Sequence, residues 1–231
     1  MTGVIWQNAP AIALESGCYD GLTPISELRQ HGDLGIGAFD QLDGELVAVD
    51  GVFYQVTGDA AAHVPDDSVT LPFCQVTMFG GKESHNLPSE VTADTLLDLA
   101  DGWMGTQNLY YSYRIDGSFR SLALRCLPKQ SKPFPPLAEV AKDLPRFSYD
   151  VAEGTMVGFR APVYVGNLSP PGFHLHFISA DRRFGGHVLS FEGADATITL
   201  ELVERQEILF PNSADFATKE LMVDHDAAGH H

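Results

Sequence analysis

Two Asp-Gly pairs constrain the fold of this chain more than any other feature, because each lies between short segments rich in β-branched and aromatic residues. Asp50-Gly51 divides residues 45–56 in this way, and Asp116-Gly117 divides residues 108–127. A two-residue Asp-Gly turn between such segments is the strongest local signal for a β-hairpin. The sequence therefore predicts two hairpins, and with them a fold built largely from antiparallel strands.

Strand patterns dominate the rest of the chain, and helical patterns are few. Further strands are predicted at residues 34–39, 69–79, 154–165, 173–179, 187–191 and 197–209. The clearest helix covers residues 92–104, where Thr92 can cap the first turn and apolar residues recur at helical spacing. Shorter helices are predicted at residues 23–28, with Thr23 as the cap and Pro24 as the first residue, at 137–144 and at 213–222.

This mixture of elements predicts an α+β fold with two packed parts that each contain a sheet. The seam between them is expected near residues 145–150. The N-terminal part, 1–147, then has a mixed sheet with helices. The C-terminal part, 148–231, is mostly antiparallel β with a short terminal helix, and it carries the candidate metal site described below.

Net charge limits the partners that the chain can bind. The sequence has 231 residues, with 14 Lys and Arg against 31 Asp and Glu, for a formal net charge of −17. That charge repels phosphate backbones and anionic membrane surfaces, so we expect no binding to nucleic acid or to membranes. The three widely spaced cysteines, the lack of an apolar run of about 18 residues and the lack of a signal-peptide pattern predict a cytoplasmic protein.

Three histidines in the C-terminal part give the sharpest functional signal. His174 and His176 lie two residues apart in a predicted strand, so their imidazoles share a face. The turn-like residues 181–186 then return the chain, which brings His187 opposite either His174 or His176. Three neutral imidazoles around one point match a catalytic zinc site that keeps its fourth position for water or substrate.

Other interpretations of these histidines are weaker. A single buried histidine is most often a core residue with hydrogen-bond partners, but two neighbouring desolvated imidazoles are costly without a partner. Cupin barrels also use a His-x-His pair, yet they follow it with a glutamate four or five residues later, where this chain offers only Asp181. Imidazole sites accept several divalent ions, so the pattern alone does not fix the metal.

Several blocks of the chain resemble the alpha-acetolactate decarboxylase family. The blocks are residues 32–46, residues 70–79, residues 125–130 around a candidate active-site arginine, and residues 170–189 with the three histidines. The similarity runs in order from about residue 19 to residue 211. Several blocks in the right order are more specific than any one of them.

The resemblance implies an enzyme that converts 2-acetolactate to acetoin and carbon dioxide, as a homodimer, in acetoin and butanediol formation. It implies Zn2+ held by His174, His176 and His187, with the ion chelating the ketone and hydroxyl oxygens of the substrate and stabilising an enediolate. It also implies Glu45 and Arg125 as the catalytic residues that face the substrate. Arg125 suits the substrate carboxylate, and either residue suits proton delivery. Read without the resemblance, both are more typical of a protein surface.

Two positions depart from the family pattern. Ala38 stands where the family often has threonine, which removes a hydroxyl near the expected pocket. The family also uses a glutamate from its C-terminal segment, and the candidates here are Glu220, Asp224 and Asp226.

Three histidines also suit two other functions. A hydrolase would use a zinc-bound hydroxide at the open fourth position. A metal-stabilised sensor or scaffold would instead close that position with a side chain such as Glu45 or Asp181. The decarboxylase is the expected function, because it accounts for all the matching blocks.

Overall fold

The structure is a computed structural model that describes residues 3–221. Its strands are β1 (Val4–Asn8), β2 (Thr23–Pro24), β3 (Leu34–Ala38), β4 (Glu45–Val49), β5 (Val52–Val56), β6 (Ala62–His63), β7 (Thr70–Leu71), β8 (Phe73–Thr77), β9 (Glu83–Asn86), β10 (Tyr110–Arg125), β11 (Arg146–Ala161), β12 (Gly172–Ser179), β13 (Gly185–Ser190), β14 (Ala194–Val203) and β15 (Arg205–Leu209). Its helices are α1 (Ala11–Glu15), α2 (Ile25–Leu28), α3 (Ala93–Met104), α4 (Leu137–Val140) and α5 (Ala214–Thr218). Single 3-10 turns cover Asp40–Leu42, Ala141–Asp143 and Val163–Val165. None of the helices described is long and apolar enough to cross a membrane.

Seven strands form the first sheet, in the order β15-β1-β8-β3-β4-β5-β6. Neighbouring strands are antiparallel except β1 and β15, which run parallel. The Asp50-Gly51 turn joins β4 to β5 as predicted, and its two residues have the positive φ angles, 54° and 73°, that this tight turn requires. The hairpin fixes β4 in the sheet, with Glu45 as its first residue.

Six strands form the second sheet, and four of them close a ring. β10 pairs with β11, β11 with β12, β12 with β13, and β13 again with β10, all antiparallel. β14 pairs with the earlier part of β10, and β9 extends the sheet beyond β14. Closure of the ring brings the end of β10 beside β13, which in turn pairs with β12.

The two sheets share a core. One buried apolar cluster contains Ile36 and Val47 of the first sheet together with Val157 and Phe159 of the second. Burial of such side chains is the main favourable term in folding. Within this interface β4 packs against β12 and β13, so Glu45 enters the region where the histidine-bearing strands lie.

The α+β fold predicted from the sequence is confirmed, and α3 begins at its predicted cap. The Thr92 hydroxyl accepts a hydrogen bond from the backbone N–H of Thr95 (3.2 Å), and the Thr95 hydroxyl accepts one from the N–H of Thr92 (2.8 Å). The division into parts 1–147 and 148–231 stays a prediction about domains. The sheets themselves exchange strands across that point, because β10 precedes it in the second sheet and β15 follows it in the first.

The prediction of a hairpin at Asp116-Gly117 is wrong. β10 runs straight through both residues, with Asp116 opposite Thr155 of β11 and Thr197 of β14. Strand pairing on both edges satisfies the backbone there, and the Asp116 carboxylate accepts a hydrogen bond from the Thr155 hydroxyl (2.9 Å). Gly117 serves close packing instead of a turn, since a Cβ atom would clash with the carbonyl oxygen of Asp195.

Three smaller predictions also change. Residues 197–209 contribute to two strands, because the chain leaves the second sheet after β14 and enters the first as β15. Thr23 belongs to β2, and the N-cap of α2 is Pro24, which leaves only Ile25–Leu28 helical. The last helix covers only Ala214–Thr218, and the end of its predicted range lies outside the described residues.

Gly158 of β11 leaves room for the strand that carries two of the histidines. It lies opposite Leu175, and an added Cβ atom would overlap the carbonyl oxygen of His174. We expect Gly158→Ala to displace β12 and to lower the free energy of unfolding by about 1–3 kcal/mol, the usual cost of overpacking. Urea unfolding of the variant and the wild-type protein measures this difference.

Gly102→Ala in α3 is the matched control, because nothing lies within 4 Å of the added Cβ atom. This change should leave stability unaltered or raise it by up to about 1 kcal/mol, since alanine favours a helix more than glycine does. A Gly158→Ala protein as stable as the wild type would contradict the tight packing of β11 on β12.

Candidate metal centre

β12 and β13 bring three histidines together. His174 and His176 alternate with Leu175 along β12, so both imidazoles lie on the same face. Of the two pairings that the sequence left open, the structure has His176 opposite His187. Each histidine offers a ring nitrogen, and the three nitrogens lie within 4.8 Å of one another.

The donor atoms of this triad fit a metal ion. His174 Nδ1 and His176 Nε2 are buried and have no hydrogen-bond partner among residues 3–221, which is costly unless a ligand binds them. The second nitrogen of His176, Nδ1, donates to the carbonyl oxygen of Leu46 (2.7 Å). That hydrogen bond fixes the tautomer and leaves the Nε2 lone pair for a ligand, as in histidines that bind metals.

Burial keeps the three imidazoles neutral. Desolvation lowers the pKa of His176 to about 4; its hydrogen bond with Leu46 opposes this shift and the charge of Arg125 adds to it. Desolvation also lowers the pKa values of His174 and His187 well below the usual value, with further lowering by neighbouring histidines and by Arg125. At neutral pH no proton has to leave these rings before a cation binds.

The first sheet contributes Glu45 to the site. It begins β4, pairs with Ala38 of β3 and is buried. Its Oε2 atom lies 3.7 Å from Nε2 of His176. Burial raises the pKa of Glu45 to about 8, against an opposing effect of the positive charge on Arg125. A carboxyl group in this environment binds a proton more readily than an ordinary glutamate does, which suits a proton donor.

Arg125 is the last residue of β10 and lies opposite His187. Its side chain forms no ion pair with any of the described residues, and its buried Nε atom has no hydrogen-bond partner there either. A guanidinium group stays charged at all ordinary pH values, and its donors match the two oxygens of a carboxylate. Arg125 is therefore a cation available to an anionic ligand.

The triad, Glu45 and Arg125 line one cavity of about 240 Å³. Nonpolar residues form most of the remaining wall, and they are Ala11, Leu14, Gly37, Ala38, Phe73, Leu127, Leu137, Leu144, Pro170 and Phe173. Glu15 is the remaining described residue of the lining. A mostly apolar cavity with a few convergent polar groups is typical of a small-molecule site.

The remaining candidate residues divide clearly. Ala38 lines the cavity beside Glu45, so a hydroxyl at this position would be a cavity group. Asp181 is exposed in the turn after β12, where its carboxylate accepts a hydrogen bond from Ser179 Oγ (2.7 Å). Glu220 is exposed and does not line the cavity, while Asp224 and Asp226 lie outside the described residues. Of the two side chains considered for closing the fourth position, only Glu45 lies beside the triad.

Sequence reasoning missed the cover of the cavity. α1 supplies Ala11, Leu14 and Glu15, but this part of the chain has no strong periodicity in sequence. Leu137 and Leu144 were expected in a short helix, with no sign that they face a site. Alternation along a strand shows which side chains share a face, and it carries no information about which distant segment covers that face.

Comparison with known proteins places this site in a family. The family model for alpha-acetolactate decarboxylase matches residues 5–223. An alpha-acetolactate decarboxylase from Methanosarcina mazei is 38% identical over 218 residues, which cover 94% of this chain and 76% of that protein. One from Bacillus subtilis is 36% identical over 217 residues, which cover 94% of this chain and 85% of that protein.

Solved structures agree with the sequence matches. The crystal structure of alpha-acetolactate decarboxylase from Bacillus subtilis strain 168 has a TM-score of 0.93 at 35% identity, covering 97% of this chain and 96% of that chain. A Staphylococcus aureus protein described as similar to alpha-acetolactate decarboxylase has a TM-score of 0.92 at 27% identity, with 97% of each chain covered. On its sequence over nearly its whole length, and on its fold, the chain belongs to the alpha-acetolactate decarboxylase family.

Proposed function

We propose that this protein converts 2-acetolactate to acetoin and carbon dioxide, the activity that the names of its relatives state for those proteins. The observation that carries the proposal is that one cavity contains three neutral histidines, the buried carboxyl group of Glu45 and the guanidinium of Arg125, which has no ion pair within residues 3–221. Decarboxylation of a β-keto acid needs a group that binds the carboxylate, a positive centre for the developing charge, and a proton source. The cavity provides residues for all three.

We infer that His174, His176 and His187 hold the metal, and that this metal is zinc. Neutral imidazole is a preferred zinc ligand, and a set of three leaves a coordination position for substrate. When bound, the ion supplies Lewis-acid stabilisation of the negative charge that develops on the ketone oxygen of the substrate.

Arg125 binds the carboxylate that leaves. Its guanidinium holds the two carboxylate oxygens and so orients the carbon–carbon bond that will break. When this bond breaks, carbon dioxide departs and the bonding electron pair moves towards the neighbouring ketone oxygen. Because Arg125 binds the carboxylate before the reaction as well, much of its contribution is to substrate binding and orientation.

Glu45 delivers the proton that completes the product. After carbon dioxide leaves, the carbon that carried it needs one proton to give acetoin. Glu45 is buried and its pKa is raised, so in the proposed reaction it supplies this proton from one fixed direction and sets the configuration of the product. The apolar wall limits access of bulk water, which would protonate the carbon from either side.

The homodimer, the cytoplasmic location and the role in acetoin and butanediol formation stay predictions. Val163, Tyr164 and Phe210 are large apolar side chains with 84%, 75% and 62% of their area exposed. Exposed apolar surface of this kind is consistent with an interface that a second copy of the chain covers.

Removing the metal should abolish acetoin formation from racemic acetolactate, and zinc should restore it. We expect His187→Ala to lower zinc affinity by at least about tenfold, because one of three ligands is lost. His63→Ala is the matched control, since His63 is exposed and lies outside the triad. Elemental analysis gives the zinc content, and an acetoin assay gives the rate.

Full activity after complete removal of the metal would contradict this mechanism. A folded, zinc-loaded protein that forms no acetoin would contradict the decarboxylase proposal. If that protein hydrolysed esters or amides, the zinc-hydroxide hydrolase would take its place.

Substitution of Arg125 should weaken substrate binding. Arg125→Lys keeps the charge but loses the two-pronged hydrogen bonding, so we expect KM to rise by about tenfold, and Arg125→Gln should lower kcat/KM by about 100-fold or more. Arg146→Gln is the control, because Arg146 lies opposite Arg125 on β11 but is exposed and outside the cavity. Steady-state kinetics of acetoin formation would refute this role if Arg125→Gln matched the control.

Glu45→Gln keeps the shape of the side chain but removes its acidic proton. We expect kcat to fall by about 100-fold or more, the usual contribution of a general acid, and the remaining product to lose part of its chirality as water protonates it. Chiral chromatography of acetoin measures the second effect, which a purely structural role of Glu45 would not produce. Wild-type rate and a single acetoin enantiomer from this variant would argue against Glu45 as the proton donor.

A further inference from the structure

Among the described residues that line the cavity, Glu15 alone is exposed. It is the last residue of α1, and Ala11 and Leu14 of the same helix also line the cavity. Because the other lining residues are buried or half-buried, Glu15 lies where the cavity meets solvent. Glu15 therefore places a carboxylate at the mouth of the site.

The carboxylate of Glu15 has no counter-charge in the part of the chain that the structure describes. None of the ion pairs within residues 3–221 includes it. Partial burial raises the pKa of Glu15, as expected for a carboxyl group that lies against protein atoms at the rim. Its negative charge is therefore available to act on whatever enters the cavity.

The groups inside the cavity would attract almost any small anion. Arg125 is a cation without an ion pair in the described part of the chain, and the triad is suited to a divalent ion. A ligand with two carboxylates would therefore be held more strongly than a ligand with one. Such dicarboxylates are also chelators, and they would occupy the site without reacting. A carboxylate at the mouth opposes this, because it repels a second negative group on a ligand whose first carboxylate is bound at Arg125.

We propose that Glu15 contributes to the charge specificity of the cavity, because it disfavours ligands with a second carboxylate relative to 2-hydroxy-3-keto acids that carry a single one. The inference rests on the proposed function, in which Arg125 holds that carboxylate. Glu15 takes no part in bond breaking or proton transfer. It acts through space on the far end of the ligand.

Two 2-hydroxy acids that differ in one group test this role. 2-Hydroxy-2-methylbutanoate and citramalate share the same hydroxyl, methyl and carboxylate groups, and citramalate has a second carboxylate where the other has a methyl group. Isothermal calorimetry of each acid with the zinc-loaded protein gives the ratio of the two affinities. Comparing this ratio between variants cancels chelation of zinc in bulk solution, which is the same for all of them.

Glu15→Gln should shift the ratio towards citramalate by about threefold to fivefold, the range of an exposed charge–charge interaction, and the shift should shrink at high salt. Glu15→Lys should shift it further, by about tenfold or more, and provides a second variant if the first is unstable. Glu204→Gln is the matched control: it removes the same charge from an exposed position outside the cavity. Its ratio should equal that of the wild type.

An unchanged ratio in both Glu15 variants would overturn the inference, as would an equal gain in affinity for both acids. Failure of 2-hydroxy-2-methylbutanoate to bind wild-type protein would instead count against the proposed function, and the inference would fall with it. Binding that responds to Glu15 as expected, in a protein that forms no acetoin, would refute the reaction while supporting the charge specificity. The two failures are thus distinguishable.

Discussion

The hydrogen bond from His176 to the carbonyl oxygen of Leu46 is the interaction on which the candidate site depends. It joins β12 of the second sheet to β4 of the first, and both residues are buried. A carbonyl oxygen only accepts, so the bond fixes which ring nitrogen of His176 keeps its lone pair. It also holds the start of β4, and with it Glu45, beside the triad. One contact between the sheets thereby sets both the ligand geometry and the position of the carboxyl group.

Desolvation then shifts the histidines and the glutamate towards the protonation states that the proposed reaction needs. It lowers the pKa of His176 to about 4 and raises that of Glu45 to about 8. The same burial that makes the histidines neutral ligands therefore makes the glutamate an acid. A more open cavity would weaken both pKa shifts, so the apolar cover from α1 and α4 contributes to the chemistry as well as to stability.

Local patterns in the sequence predicted local structure well. Alternation placed His174 and His176 on one face, and Asp50-Gly51 formed its turn. Asp116-Gly117 did not form a turn, because strand pairing along both edges stabilises an extended backbone there more than the local sequence favours a turn. The pairing partners are about 40 and 80 residues away in sequence, so the local pattern could not reveal them. Glu45 and Arg125 needed the family resemblance, since each reaches the cavity only through contacts between distant strands. Glu15 left no signal at all, because α1 is short and its sequence is not periodic.

The charge of the chain has consequences for how it takes up an anionic substrate. A formal net charge of −17 repels anions at long range, but the Debye length at physiological salt is about 8 Å, so most surface charges are screened from the cavity. The field inside is then set by the nearest groups. Among the described residues that line the cavity, Arg125 is the one Lys or Arg, and Glu15 is the one exposed residue with an acidic side chain. With the proposed roles, selection among small anions depends mainly on Arg125, Glu15 and the metal that the triad would hold, and much less on the acidic surface around them.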